Sequence, residues 1–298
     1  MGRIEVGTAS WTDESLIKCG RFYPKKSNTP EERLRYYASV FPCVEVDSSY
    51  YALPSSANSE KWAERTPDDF HFNVKAFRLF TGHQTPAAAL PKDMRTELAA
   101  HFATKKTLYY KDTPRAIRDE LWRRFERGIQ PLRDAGKLIA VHFQFPPWVF
   151  PAREWHDHIM ECRDRMADYQ IALEFRQEKW FDHTHRDATL AFERTLKAAH
   201  VVLDMPQGFS NSLPQIWEVT SPDLAIVRFH GRNKETWNAK GVSAASDRFN
   251  YDYPQHELAE FAPHIRALAE QTKRVQAIFN NNFEDQGQRN AQILMELL

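Results

Sequence analysis

The segment IALEFR, residues 171–176, sets Ile171, Leu173 and Phe175 against Ala172, Glu174 and Arg176. Alternate side chains of a strand point to opposite faces, so one face here is apolar and the other is charged. The same phase recurs along the chain. In VEVD (44–47), Val44 and Val46 oppose Glu45 and Asp47; in FHFNVK (70–75), Phe70, Phe72 and Val74 oppose His71, Asn73 and Lys75. Ile139, Val141 and Phe143 oppose Ala140, His142 and Gln144, and Val201 and Leu203 oppose Val202 and Asp204. Val227 and Phe229 oppose Arg228 and His230, and Phe279 opposes Asn280.

These runs belong to eight strand candidates: Ile4–Gly7, Cys43–Asp47, Phe70–Lys75, Leu138–Phe143, Ile171–Glu174, Val201–Leu203, Ala225–Phe229 and Val275–Phe279. Helical stripes fall between them. Ile117, Leu121, Phe125, Ile129 and Leu132 form one, Trp155, Ile159, Cys162, Met166 and Tyr169 a second, and Leu258, Phe261, Ile265 and Leu268 a third. Apolar residues three and four apart make a single packing face. Pro30 followed by Glu31 and Glu32 reads as a helix start, and so does Pro114. Strands alternating with helices predict an α/β fold, and eight strands predict a single (β/α)8 TIM-like barrel over residues 1–298. About sixty residues separate the third and fourth strands, more than one helix uses. Residues 80–111 are therefore an insertion or lid, with a short helix near Met94–Phe102.

Composition narrows the function. Acidic and basic residues balance at 40 each. Phosphate neutralisation normally needs a basic excess, so nucleic acid is not the favoured partner. No apolar run approaches a membrane span, and the first residues lack the apolar core of a signal peptide. Cys19, Cys43 and Cys162 form no CxxC pair, which points away from a disulfide scaffold and towards a cytoplasmic setting.

The segments GTASW (7–11), RFYP (21–24), VEVDSSYY (44–51), KWAERTPDDFHFNVKAF (61–77), FQFPP (143–147), LEFRQEKWF (173–181), VRFHGR (227–232), FNNN (279–282) and QRNA (288–291), together with His83, run nearly end to end. Together they resemble the YecE-like family, known as domain of unknown function 72. The resemblance implies a (β/α)8-like barrel and supplies no activity. It also marks departures: the family pattern has Asn where this chain has Asp47, and His where it has Asn282. Residues 80–111 are longer than the family pattern.

With the polar faces turned inward, the barrel's C-terminal mouth collects charged and amide groups, where barrel enzymes keep their sites. Glu174, His230, Glu45 and Asp204 are the candidate catalytic groups, since crowded carboxylates drive one another's pKa values apart. Lys75, Arg176, Arg228 and Arg232 suit a carboxylate or phosphate on a ligand. Asp47, Asn280, Asn281, Gln144, His83 and Trp11 complete the ligand-binding set, with His83 on the lid. His142 reads as a satisfied core histidine. The bland alternative is that Glu174 pairs with Arg228 or Lys75 and only fixes the fold.

No Walker or Rossmann glycine loop and no GxSxG elbow appears. The expectation is an enzyme of hydrolase or lyase type acting on a small polar or anionic molecule without a cofactor. Two alternatives stay open. One is a divalent-metal barrel resembling sugar isomerases or abasic-site endonucleases, with ligands drawn from Glu45, Glu174, Asp204, His83 and His230. The other is a non-catalytic ligand- or nucleic-acid-binding protein.

Overall fold

The computed structural model describes residues 1–239 and 248–298. Among the described residues there are ten strands: β1 (Arg3–Thr8), β2 (Cys43–Val46), β3 (His71–Lys75), β4 (Thr85–Pro86), β5 (Thr107–Leu108), β6 (Leu138–Gln144), β7 (Ile171–Glu174), β8 (Ala199–Asp204), β9 (Ala225–Phe229) and β10 (Arg274–Phe279). Eight of them close into a parallel barrel in the order β1-β10-β9-β8-β7-β6-β3-β2. The short strands β4 and β5 pair separately. The chain is thus an α/β protein with a TIM-like barrel, and each predicted strand falls on a barrel strand.

Local chemistry explains the outer layer. Thr29 and Glu32 form a reciprocal capping box, and Pro30 begins the helix Pro30–Val40. The helix Arg115–Asp134 buries Ile117, Leu121, Phe125, Ile129 and Leu132, the predicted stripe. Helix Gln255–Ala269 buries the third stripe in the same way, whereas helix Arg153–Arg165 buries Ile159 and Cys162 of the second, leaves Trp155 half-buried and ends before the buried Met166 and Tyr169. Gly7 is required by the close approach of β1 to β2. A Cβ there would lie 2.1 Å from the carbonyl oxygen of Cys43.

Residues 80–111 fold into the β4–β5 ribbon, a 3-10 turn and two short helices, Lys92–Glu97 and Ala99–Thr104. The single helix expected near Met94–Phe102 is broken at Leu98. Asp93 ties the insertion to Arg124, on the helix that follows it.

The inward faces are polar from the bottom of the barrel upward. Near the N-terminal ends, Glu5 accepts from Arg274 and His71 at 2.8 Å each and from Gln276 at 2.9 Å. Asn73 donates to Gln276 at 2.6 Å. A buried charge is tolerable only when its lone pairs are filled, and Glu5 meets that condition.

β8 departs from the predicted phase. Leu203 is in register with Arg228, and Asp204 with Phe229. Arg228 points into the barrel, whereas Phe229 packs on Phe261 of the outer helix at 5.0 Å between ring centroids. Val201 and Leu203 therefore face inward, and Asp204 faces the helical layer.

Candidate functional site

The central layer of the barrel is a closed ion network. Arg228 on β9 donates to Glu45 on β2 at 2.5 Å and to Glu174 on β7 at 2.6 Å. His142 on β6 joins Glu45 through Nδ1 at 2.6 Å, and its Nε2 lies 3.1 Å from Glu174. Arg176 adds a further contact to Glu174, through Nε at 2.5 Å. All four central residues are buried. Burial works to raise the two carboxyls, but Arg228 and His142 at Glu45, and Arg176 and Arg228 at Glu174, outweigh it and hold both below the usual range. His142 is pushed upward: burial opposes its charge, yet Glu45 and Glu174 prevail. The charges find their counter-charges within the network, as the bland reading of Glu174 required, while Arg228 Nε and His142 Nε2 make no hydrogen bond among the described residues.

That closure corrects three expectations. Glu45 and Glu174 are locked as ionised partners and are not poised to exchange protons. Arg228 spends its guanidinium on them and is not available to hold a ligand anion. His230 is held neutral, its pKa driven well down by burial and by Arg176 and Arg228. Its Nε2 faces an Arg176 N–H at 2.9 Å and must accept. Its Nδ1 lies 2.9 Å from the Asn280 side-chain amide nitrogen. His230 orients Arg176 and Asn280 instead of titrating.

Above this layer lies a cavity of about 510 Å³. It is lined by Asp47, Lys75, His83, Gln144, Arg176 and Asn280 from the predicted set. Of the insertion 80–111, His83 alone appears in this lining. Burial and the charges of Lys75 and Arg78 push His83 down to about 3, so it enters as a neutral ring. Lys75 Nζ stands 3.4 Å from Asp47 Oδ1 and 5.2 Å above the Tyr50 ring. The Asp47 side chain remains 25% exposed. Burial pushes its carboxyl up to about 6; Lys75 pulls it down and Glu45 pushes it further up.

Other predicted residues are placed elsewhere. Asp204 accepts from Arg232 at 3.0 Å, from Gln215 at 2.6 Å and from Tyr253 at 2.5 Å. Arg232 also pairs with Glu257 on the helix Gln255–Ala269 at 3.1 Å. This cluster braces the outside of β8 and β9. Asn281 donates to the Tyr251 carbonyl at 2.8 Å and to Asn290 at 2.7 Å, again outside the barrel. Trp11 meets Trp62 edge-on and lines a separate cleft beside the helix Pro30–Val40. Among the described residues, no three His, Cys, Asp or Glu side chains converge as metal ligands. The set Glu45, Glu174 and Asp204 fails on geometry, since Arg228 separates the first two and the third faces outward.

Sequence reasoning missed several contributors. Asp13, in the loop after β1, is pushed up to about 7 by burial and by the charge of Asp47. Tyr50, Asn211, Trp237, Phe249 and Asn282 also line the cavity. Tyr50 and Trp237 sit in the short helices Ser48–Tyr51 and Lys234–Trp237, too short to show periodicity; Tyr50 carried a signal in VEVDSSYY, and Asn282 as the third Asn of FNNN.

Comparison with known proteins agrees with this architecture. Residues 5–298 match the family described as protein of unknown function DUF72. The UPF0759 protein YunF of Bacillus subtilis is 34% identical over 297 residues, covering 99% of this chain and 94% of that protein. A DUF72 family protein from Enterococcus faecalis, EF0366, superposes with a TM-score of 0.80 at 26% identity, covering 99% of this chain and 95% of the other. The Thermotoga maritima protein TM1631 gives a TM-score of 0.76 at 27% identity, with 99% and 98% covered. No helix among the described residues is long and apolar enough to cross a membrane. An end-to-end family match on a barrel of the same fold places this chain in the DUF72 family.

Proposed function

We propose that this protein is an enzyme acting at the barrel mouth on a small anionic substrate, with Asp47 as its acid/base. The observation that carries the reading is the pairing, in one cavity, of a part-exposed carboxyl near pKa 6 with Lys75 and Arg176. Ideal proton-transfer groups have a pKa near the working pH. Ionised Asp47 takes a proton from a bound water or from the substrate; protonated Asp47 returns one to the leaving group. Lys75 and Arg176 hold the substrate's anionic group. The buried network beneath fixes Arg176 through Glu174 and His230, so that less ordering is left for the moment of binding.

Hydrolysis or elimination fits this equipment, because both need one proton-transfer group and one stabilised negative charge. Turnover of phosphomonoesters, lactones and 3-hydroxy acids tests the reading. Asp47→Asn is expected to lower the rate about 100-fold or more while the circular dichroism spectrum is retained. Undiminished turnover in a folded Asp47→Asn variant rules the assignment out.

A further inference from the structure

We infer that the ligand of this cavity is a hydroxylated, ring-bearing anion, a monosaccharide-sized sugar phosphate or sugar acid. The inference rests on the anion reading of the mouth and adds the remainder of the ligand. Lys75 and Arg176 account for one anionic group, with Arg176 directing Nε and Nη2 to Glu174 and His230. A guanidinium carries five N–H donors, so its Nη1 edge remains for a ligand acceptor.

The amide lining groups call for a different partner. Gln144, Asn280 and Asn282 bring amides to the cavity, and Asn211 and Asn238 add two more. Asn211 donates to Asn238 at 3.0 Å, and Trp237 donates to Asn211 at 3.1 Å, which fixes the amides beside the indole. Amides offer both donors and acceptors, and Asp47 offers an acceptor. A bare anion presents acceptors only, and it leaves Asp47 Oδ1 and Asn282 Oδ1, which accept no hydrogen bond among the described residues, unfilled at the cost of desolvated polar groups. The complementary group must donate as well as accept. An ammonium is disfavoured beside Lys75, Arg176 and the Arg228 network; a neutral hydroxyl meets no such repulsion. Tyr50, Trp237 and Phe249 supply apolar walls of the kind that pack on the C–H face of a sugar ring. The volume of about 510 Å³ lies in the range of small-ligand sites.

Titration calorimetry on the full chain at pH 7 tests the inference with ribose 5-phosphate, gluconate, propyl phosphate, propionate and ribose. Ribose 5-phosphate is expected to bind at least tenfold more tightly than propyl phosphate, or gluconate tenfold more tightly than propionate; the two arms tell phosphate from carboxylate. Asn211→Ala, a part-exposed position, is expected to narrow that gap. Equal binding of the hydroxylated anions and their hydroxyl-free counterparts overturns this inference and leaves the anion reading standing. Ribose binding as tightly as ribose 5-phosphate, or no binding by any of the anions, overturns the anion reading and this inference with it.

Discussion

Arg228 reaches across the barrel from β9 to meet Glu45 on β2 at 2.5 Å, and its other terminal nitrogen meets Glu174 on β7 at 2.6 Å. One buried cation therefore ties together strands that share no ladder. Removing it leaves two buried carboxylates facing each other. Arg228→Met is expected to cost about 3–5 kcal/mol of stability, the range for breaking a buried pair from one side. Urea denaturation measures it, and a loss below about 1 kcal/mol contradicts the network's role.

Asp47 and Asp13 should oppose the network carboxylates in the pH dependence of stability. Glu45 and Glu174 have lowered folded-state pKa values, so their contribution is present above about 4.5 and is lost as pH falls below it. Asp47 and Asp13 are raised to about 6 and about 7, so their contribution is present below about 4 and is lost as pH rises through those values. Asp47→Asn should make the slope of stability against pH more positive between pH 4 and pH 6 in a denaturation series. A slope unchanged from that of the parent protein argues against the raised pKa.

The two carboxyls should also report on each other. Carbon-13 NMR is expected to show side-chain carboxyls titrating near pH 6 and near pH 7. Because the charge of Asp47 helps to raise Asp13, Asp47→Asn should remove the first titration and shift the second to lower pH. An unmoved Asp13 titration contradicts the coupling.

Asp204 and Lys75 should separate stability from binding. Asp204→Ala removes the acceptor for Arg232, Gln215 and Tyr253 and is expected to cost about 2–4 kcal/mol. Affinity for ribose 5-phosphate at the mouth should change less than threefold. Lys75→Met is expected to do the reverse, lowering anion affinity about tenfold or more with a small change in unfolding midpoint. Calorimetry and thermal denaturation on both variants decide it; matching effects from the two contradict the separation of outer brace from mouth.

The chain's alternation alone determined the barrel and the polar character of its interior. VEVD, FHFNVK and IALEFR each carry one apolar phase, and a strand's period of two forces the other phase to the opposite face. The sequence also located Lys75, Asp47, Arg176, Gln144 and Asn280 at the mouth, because they close the polar phases of their strands. It could not orient β8. Val201, Val202 and Leu203 are apolar in both phases, so Asp204 alone suggested a direction, and that direction was wrong. Its partners Gln215, Arg232 and Tyr253 come from later segments, and only folding brings them to the outer face. The pairing of the inner charges was decided in the same way. Glu45, Glu174 and Arg228 read alike as active groups in sequence, yet their distances make them a closed set, because a buried charge is stable only beside its counter-charge. Asp47 has Lys75 at 3.4 Å and part of its surface open to the cavity, and tertiary placement leaves it the mouth carboxyl able to change state near neutral pH.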